Sequence, residues 1–421
     1  MKRSSALALD AARHEIDESG RVIGMAALVS MAYEQVDMTP LWDRLMERAM
    51  KQGSDCAAAM FDLATILQSR GSTEAALQVL RGAVELRRDF SIVHGNGKGP
   101  RLLAFVTPGD FMANTPLDFL LVHSDCVLHL YHVDAEMTEL TDLPAHDVAF
   151  MAIGESAESA PVLERMRQLL AEFPGPVMNN KPELISRLTR DGVSSMLADE
   201  PSILSPKTFR ISREEALDIA LSRRAVDDLA PGLSLPIIVR PIGTHAGNGM
   251  KLIEKLSDLM EWLDRDTASE IYIAPFIDFR GPDDLYNKQR IVFINGKAYA
   301  SHMALSEHWI VHYLSAGMAK NAAKRAVEQE WMENFDTDFA ARHRTSFEAL
   351  YRHVGLDYFG IDCAELPDGR LLVFELDVAM FVHSMDDAVV FPYKHVAMRK
   401  LFAGFVEAVG EAAVNGTVSR A

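Results

Sequence analysis

Residues 360–377, GIDCAELPDGRLLVFELD, place Asp362 on one run of strand-forming residues and Glu375 and Asp377 on the next, with Asp368 and Gly369 to reverse the chain between them. Side chains two apart on a strand point to the same face, so Glu375 and Asp377 share one, and the hairpin brings Asp362 beside them. Val373, Phe374 and Leu376 mark the second run as a buried type of strand, where unpaired carboxylates are costly. Three such acids repel one another unless a cation lies among them. Hard oxygen ligands without sulfur or imidazole select Mg2+ or Mn2+, the ions that bridge phosphates. A solvated strand face is the competing reading, and the apolar neighbours weigh against it.

A second motif has the complementary charge. In PIIVRPIGTHAGNGM, residues 236–250, an apolar strand ends at Arg240 and runs into a loop of Gly243, Thr244, His245, Ala246, Gly247, Asn248 and Gly249 before a further strand starting at Met250. Glycine permits close approach and unusual torsions, so such a loop can lay backbone amides over phosphate oxygens. A plain hairpin would explain the glycines but not a cation at the end of a buried strand.

Composition bounds the rest. A chain of 421 residues exceeds the usual single core, so two or three packed units are expected. With 48% hydrophobic and 24% charged residues it reads as an ordinary folded protein. Its formal charge of -18 repels phosphate backbones and anionic lipid, so neither nucleic acid nor membrane is an expected partner. Cys56, Cys126 and Cys363 form no disulfide or zinc pattern. No run approaches the roughly 18 apolar residues that span a bilayer, and a cytoplasmic location is expected.

Four regions follow along the chain. Residues 1–97 read as helical, because apolar residues recur at three- and four-residue spacing. Within them Leu63, Ala64, Leu67, Gly71, Ala75, Ala76, Leu77, Leu80 and Ala83 resemble the packing positions of a tetratricopeptide repeat, a helical hairpin broken at Gly71 and Ser72. A packed helical cap and a docking surface for a protein or peptide are both open readings. After the glycine-rich HGNGKGP, residues 98–180 alternate short β-runs with helical segments, as in a small doubly wound α/β lobe with a parallel sheet. Ligands of such lobes sit at the carboxyl ends of the strands, which makes Thr107, Asp110 and Glu155 substrate candidates. Residues 181–279 and 280–421 read as two α+β lobes, the second holding an NGK hairpin at 295–297 and closing on an amphipathic last helix.

In this order of parts, residues 100–405 resemble the ATP-grasp superfamily, in particular its glutathione synthetase-like and RimK-like ligases. The resemblance implies ATP held between two α+β lobes, with Mg2+ or Mn2+, and a substrate carboxylate activated as an acyl phosphate for attack by an amine or thiol. It assigns Arg240 and the loop 243–249 to the phosphates, and the hinge residues Ala274, Pro275, Phe276 and Ile277 to adenine. Arg290 is assigned to phosphate or the reacting carboxylate, and Asp362, Glu375 and Asp377 to the metal. Lys288 stands where relatives carry an acid and is placed in the ATP site. The second phosphate-side lysine has no obvious counterpart, and Arg187, Arg190 or Lys207 could replace it.

The segment 301–320 concentrates His302, Glu307, His308, His312, Tyr313 and Lys320 on a loop or short helix after the strand that carries Arg290. Four residues apart, His308 and His312 would share a helical face, and with Tyr313 they are candidates for substrate recognition or proton removal from the attacking amine. The expected function is therefore an ATP-dependent ligase joining a small-molecule or peptide carboxylate to a nucleophile. A phosphotransferase on the same scaffold and a nucleotide-binding scaffold without turnover are the alternatives, and a homodimer is left open.

Overall fold

The structure, a computed structural model, describes residues 20–51, 54–244 and 247–418. The chain divides into two compact units. One comprises the residues up to Ser186 with Leu356–Phe359 and Val378–Ala421; the other comprises Arg187–Gly355 and Gly360–Asp377.

In the first unit, helices Met25–Tyr33, Thr39–Ala49 and Ser54–Ser69 pack around Leu28, Leu45 and Ile66. The helix Thr73–Leu86 completes a hairpin with Ser54–Ser69. Gly71 ends the earlier helix in the left-handed region at φ 80°, where its N–H donates to Gln68 O and Ser72 N–H to Leu67 O. That double return is the usual glycine stop of a helix, and it confirms the expected break. The sheet holds β1 (Asp89–Val93), β2 (Arg101–Val106), β3 (Val127–His132), β4 (Val148–Met151) and β5 (Val177–Met178) in the order β1-β3-β2-β4-β5. All pairings are parallel except β1 with β3.

β1 corrects the expectation of continuous helix up to residue 97. Phe90 and Ile92 point inward while Asp89, Ser91 and Val93 alternate outward, a period of two that a five-residue run is too short to announce. The last helix is also longer than expected, Pro392–Val418, and its Phe405 packs edge-on against Phe150 and Tyr358. It therefore completes the first unit's core and not that of a C-terminal lobe.

The second unit holds two sheets. In the antiparallel sheet β7-β10-β8-β9, strands β7 (Phe209–Ser212), β8 (Ile237–Pro241), β9 (Lys251–Ile253) and β10 (Glu270–Pro275) turn Ile211, Val239, Ile253 and Ile271 onto helices Arg213–Ala220 and Leu256–Arg265. The other has the order β12-β11-β13-β14-β6, with β6 (Ile203–Leu204), β11 (Tyr286–Ile294), β12 (Lys297–Ser306), β13 (Tyr358–Glu365, its first two residues counted with the first unit) and β14 (Leu371–Asp377). Asn295 and Gly296, both at positive φ, make the expected tight turn between β11 and β12. Among the described residues no helix is long and apolar enough to cross a membrane. The mixed α/β and α+β character read from the sequence holds, whereas four separate regions become two units.

Candidate functional site

On β11, Lys288 and Arg290 are two apart and so share a face. Both reach Asp362 on the neighbouring β13: Lys288 Nζ lies 2.9 Å from Oδ2, and Arg290 donates from Nε at 2.7 Å to Oδ1 and from a terminal nitrogen at 3.0 Å to Oδ2. Asp362 is only 3% exposed. Burial alone would raise its carboxyl, but the Arg290 and Lys288 charges outweigh it and hold the group well below the usual carboxylate range. A β-bulge follows Arg290 and another follows Asp362, so both strands break register where these side chains meet. Bulges of this kind re-aim side chains.

Across the β13–β14 hairpin Asp362 stands opposite Glu375, and Gly360 opposite Asp377. Glu375 keeps 26% of its side chain exposed and accepts at 2.8 Å from Arg190. Burial pushes its carboxyl up, yet Arg190, Arg240 and Arg290 together overcome both burial and the Asp362 charge, and the net direction is down. Asp377 adds to the negative field on Arg290. Among the described residues no three His, Cys, Asp or Glu side chains gather as a ready metal cage. Acids alternate here with cations instead.

Arg240 lies at the end of β8, opposite Tyr272 of β10, and is 8% exposed. It donates to Thr244 O and Thr244 Oγ1, while its buried Nε has no hydrogen-bond partner. Burial, reinforced by the nearby Arg190 charge and opposed by Glu375 and Tyr272, brings the guanidinium down to about 10. A buried guanidinium with an orphaned donor is what an anionic ligand would satisfy.

Arg190 is one of the three cations that the sequence offered on equal terms for the second phosphate position. It begins the helix Arg190–Met196, whose preceding Thr189 accepts from Gly192 N at 3.1 Å, and it also donates to Phe374 O. Of the three cations offered as a second phosphate ligand, Arg190 joins the site, whereas Lys207 donates to Pro231 O and lies over the Phe209 ring. The fixed place of Arg190 at a capped helix start was the available signal.

The glycine loop forms between β8 and β9. Gly243, Gly247 and Gly249 have φ of 75°, 74° and 70°, and Trp262 Nε1 holds Gly249 O at 2.8 Å. Thr244 Oγ1 donates back to Pro241 O, Asn248 is exposed, and His245 and Ala246 lie outside the described residues. In the hinge, Ala274 and Pro275 end β10, Phe276 N–H is already given to Pro236 O, and Ile277 is half-buried.

After β12, residues 307–317 are irregular, with bends and turns, so of the two open readings the loop forms and His308 and His312 share no helical face. Gly317 at φ 73° admits only a short 3-10 turn beyond it. Within this loop Trp309 meets Phe276 of the hinge edge-on at 5.8 Å. Ile310 approaches Gly247, and sequence reasoning missed both of these contacts. His312 feels Lys288 and Arg290, and burial with those two charges lowers its pKa. His308 is exposed. Tyr313 packs on His302 and donates to Glu328 at 3.1 Å, which gives it an anchoring role.

The remaining candidates belong to the first unit. Thr107 exchanges two hydrogen bonds with the Asn114 amide, and Asp110 accepts from Met112 N. Glu155 follows Gly154, whose N–H bonds Ala113 O, so the loops after β2 and β4 touch.

The second unit thus holds a buried guanidinium with an unpaired Nε, carboxylates paired with cations, and a glycine loop between β8 and β9. No family model and no curated protein matches the chain. Among solved structures it is similar to the D-alanine-D-alanine ligase from Coxiella burnetii, with a TM-score of 0.40 and 12% identity, covering 66% of this chain and 73% of that one. It is also similar to a RimK domain ATP-grasp protein from Sphaerobacter thermophilus DSM 20745, with a TM-score of 0.41 and 14% identity, covering 73% of this chain and 98% of that one.

Proposed function

We propose that the second unit is an ATP-grasp site and that the protein is an ATP-dependent ligase, activating a carboxylate as an acyl phosphate for attack by an amine or thiol with release of ADP and phosphate. The observation that carries this reading is the buried, under-satisfied Arg240 beside the Arg190–Glu375 and Lys288/Arg290–Asp362 pairs. Four cations interleaved with carboxylates can bind polyphosphate and still hold a divalent ion.

One or two of Asp362, Glu375 and Asp377 would hold Mg2+ or Mn2+, which typically takes no more protein carboxylates than that and completes its shell with water and phosphate. That ion would neutralise charge on the transferred phosphoryl group. Arg190 and Arg240 orient the phosphates, and Arg290 is poised to leave Asp362 in part for the reacting carboxylate. The loop 243–249 excludes water, so that the activated carboxylate meets its nucleophile before it hydrolyses. The carboxylate oxygen bonds to the γ-phosphorus as ADP leaves; the amine then bonds to the acyl carbon as phosphate leaves, its proton passing to solvent. The unpaired Cys56, Cys126 and Cys363 suit a reducing compartment, and the cytoplasm is the proposed location.

Incubation with Mg-ATP, a panel of carboxylates and hydroxylamine tests the reading. A hydroxamate together with equimolar ADP is expected for at least one acid. ADP formed with an alcohol acceptor alone would indicate a phosphotransferase, and nucleotide binding without any ADP would indicate a scaffold.

A further inference from the structure

We propose that the first unit binds a small apolar amine in a cavity walled by its N-terminal helical hairpin. The cavity measures about 100 Å3. Phe61 and Ala64 come from one helix of the hairpin, Leu77 and Leu80 from the other, and Ile92 and Leu130 from the sheet. A space of this order, lined by such side chains, admits one aromatic ring or one branched chain. Phe61 is fixed against Phe90 at 4.6 Å and His132 at 5.9 Å, so the helices form a wall of the unit's own interior.

The polar groups at the cavity decide the charge of the occupant. Among the described residues lining it there is no lysine or arginine. Burial drives the His132 imidazole down to about 4, so it carries no positive charge near neutrality. Asp118 is committed, accepting from Ala26 N at 2.6 Å and lying 3.3 Å from His94 Nε2. Asp110, which also lines the cavity, is exposed and spends one oxygen on Met112 N at 2.8 Å. A carboxylate entering here would meet no counter-charge, whereas an ammonium would meet Asp110 while its apolar body replaced water against Leu77, Leu80 and Leu130. The assignment goes beyond the ligase reading and does not depend on it.

Calorimetric titration of the full chain with phenethylamine, 2-phenylethanol and 3-phenylpropionate tests this. The amine is expected to bind with one equivalent per chain and the carboxylate at least about tenfold more weakly. Ala64→Trp, which fills the space, should abolish amine binding. Asp110→Asn should reduce amine affinity about tenfold and bring it level with the alcohol. If Ala64→Trp does not fold, Leu77→Ala serves in its place and should shift preference towards a naphthyl amine. Equal binding of the carboxylate, no binding of the amine, or amine binding unchanged by these substitutions would overturn the proposal. A separate Mg-ATP titration keeps the two readings apart: nucleotide binding without amine binding removes only the cavity assignment, and the converse removes only the ligase.

Discussion

Asp362 accepts from two cationic side chains while almost wholly buried, so removing its charge strands both of them. Asp362→Asn is expected to cost about 3 kcal/mol, the lower end for orphaning a buried charge, because Arg290 and Lys288 keep 17% and 21% exposure. Urea unfolding reads this directly. The sign with pH follows from the depressed carboxyls of Asp362 and Glu375. Their stabilisation is complete above the ordinary carboxylate value of about 4 and is lost as pH falls through the lowered folded value. The urea midpoint should therefore drop steeply below about pH 4 in the natural protein and less in Asp362→Asn. Arg240→Met is expected to lower kcat about a hundredfold, as for loss of one preorganised donor, with Arg240→Lys intermediate; steady-state kinetics in Mg-ATP decide. Asp362, Glu375 and Arg240 were legible because a charge in an apolar strand has few bland explanations. The grip of Lys288 on Asp362 was not, since alternation shows which face a side chain takes but not what lies opposite.

Turns were the most readable elements. Asn295–Gly296 and Asp368–Gly369 reverse the chain where the sequence says they should, with positive φ at Asn295, Gly296 and Gly369 but not at Asp368. Residues 307–317 and β1 were less readable, the first because histidine spacing left a loop and a short helix equally open, the second because two inward residues cannot outvote a preceding helix. The glycine loop allows a graded test. Alanine at Gly243 would meet only the left-handed backbone cost of about 1–2 kcal/mol, with open space around its Cβ. At Gly249 the new Cβ would also fall 2.7 Å from the Pro241 ring, adding overpacking of about 1–3 kcal/mol. Gly249→Ala should thus unfold at the lower urea concentration and show the larger loss of ATP affinity.

The second unit holds every group assigned to the nucleotide, so ligand protection should be confined to it. Amide exchange with Mg-ATP at a hundredfold over its Kd should slow by about 2.7 kcal/mol within Arg187–Gly355 and Gly360–Asp377. Equal slowing throughout the first unit would contradict that placement. The α/β class was readable because hydrophobic period switches along the chain from 3.6 to 2; the unit boundaries were not, since membership depends on where a late segment returns. Val378–Ala421 belongs with the opening residues, and Phe405 seals a core begun by Phe150. On the ribosome, then, the lobe around Phe150 stays open until the helix bearing Phe405 has emerged, and truncation just before that helix would injure a core laid down far upstream.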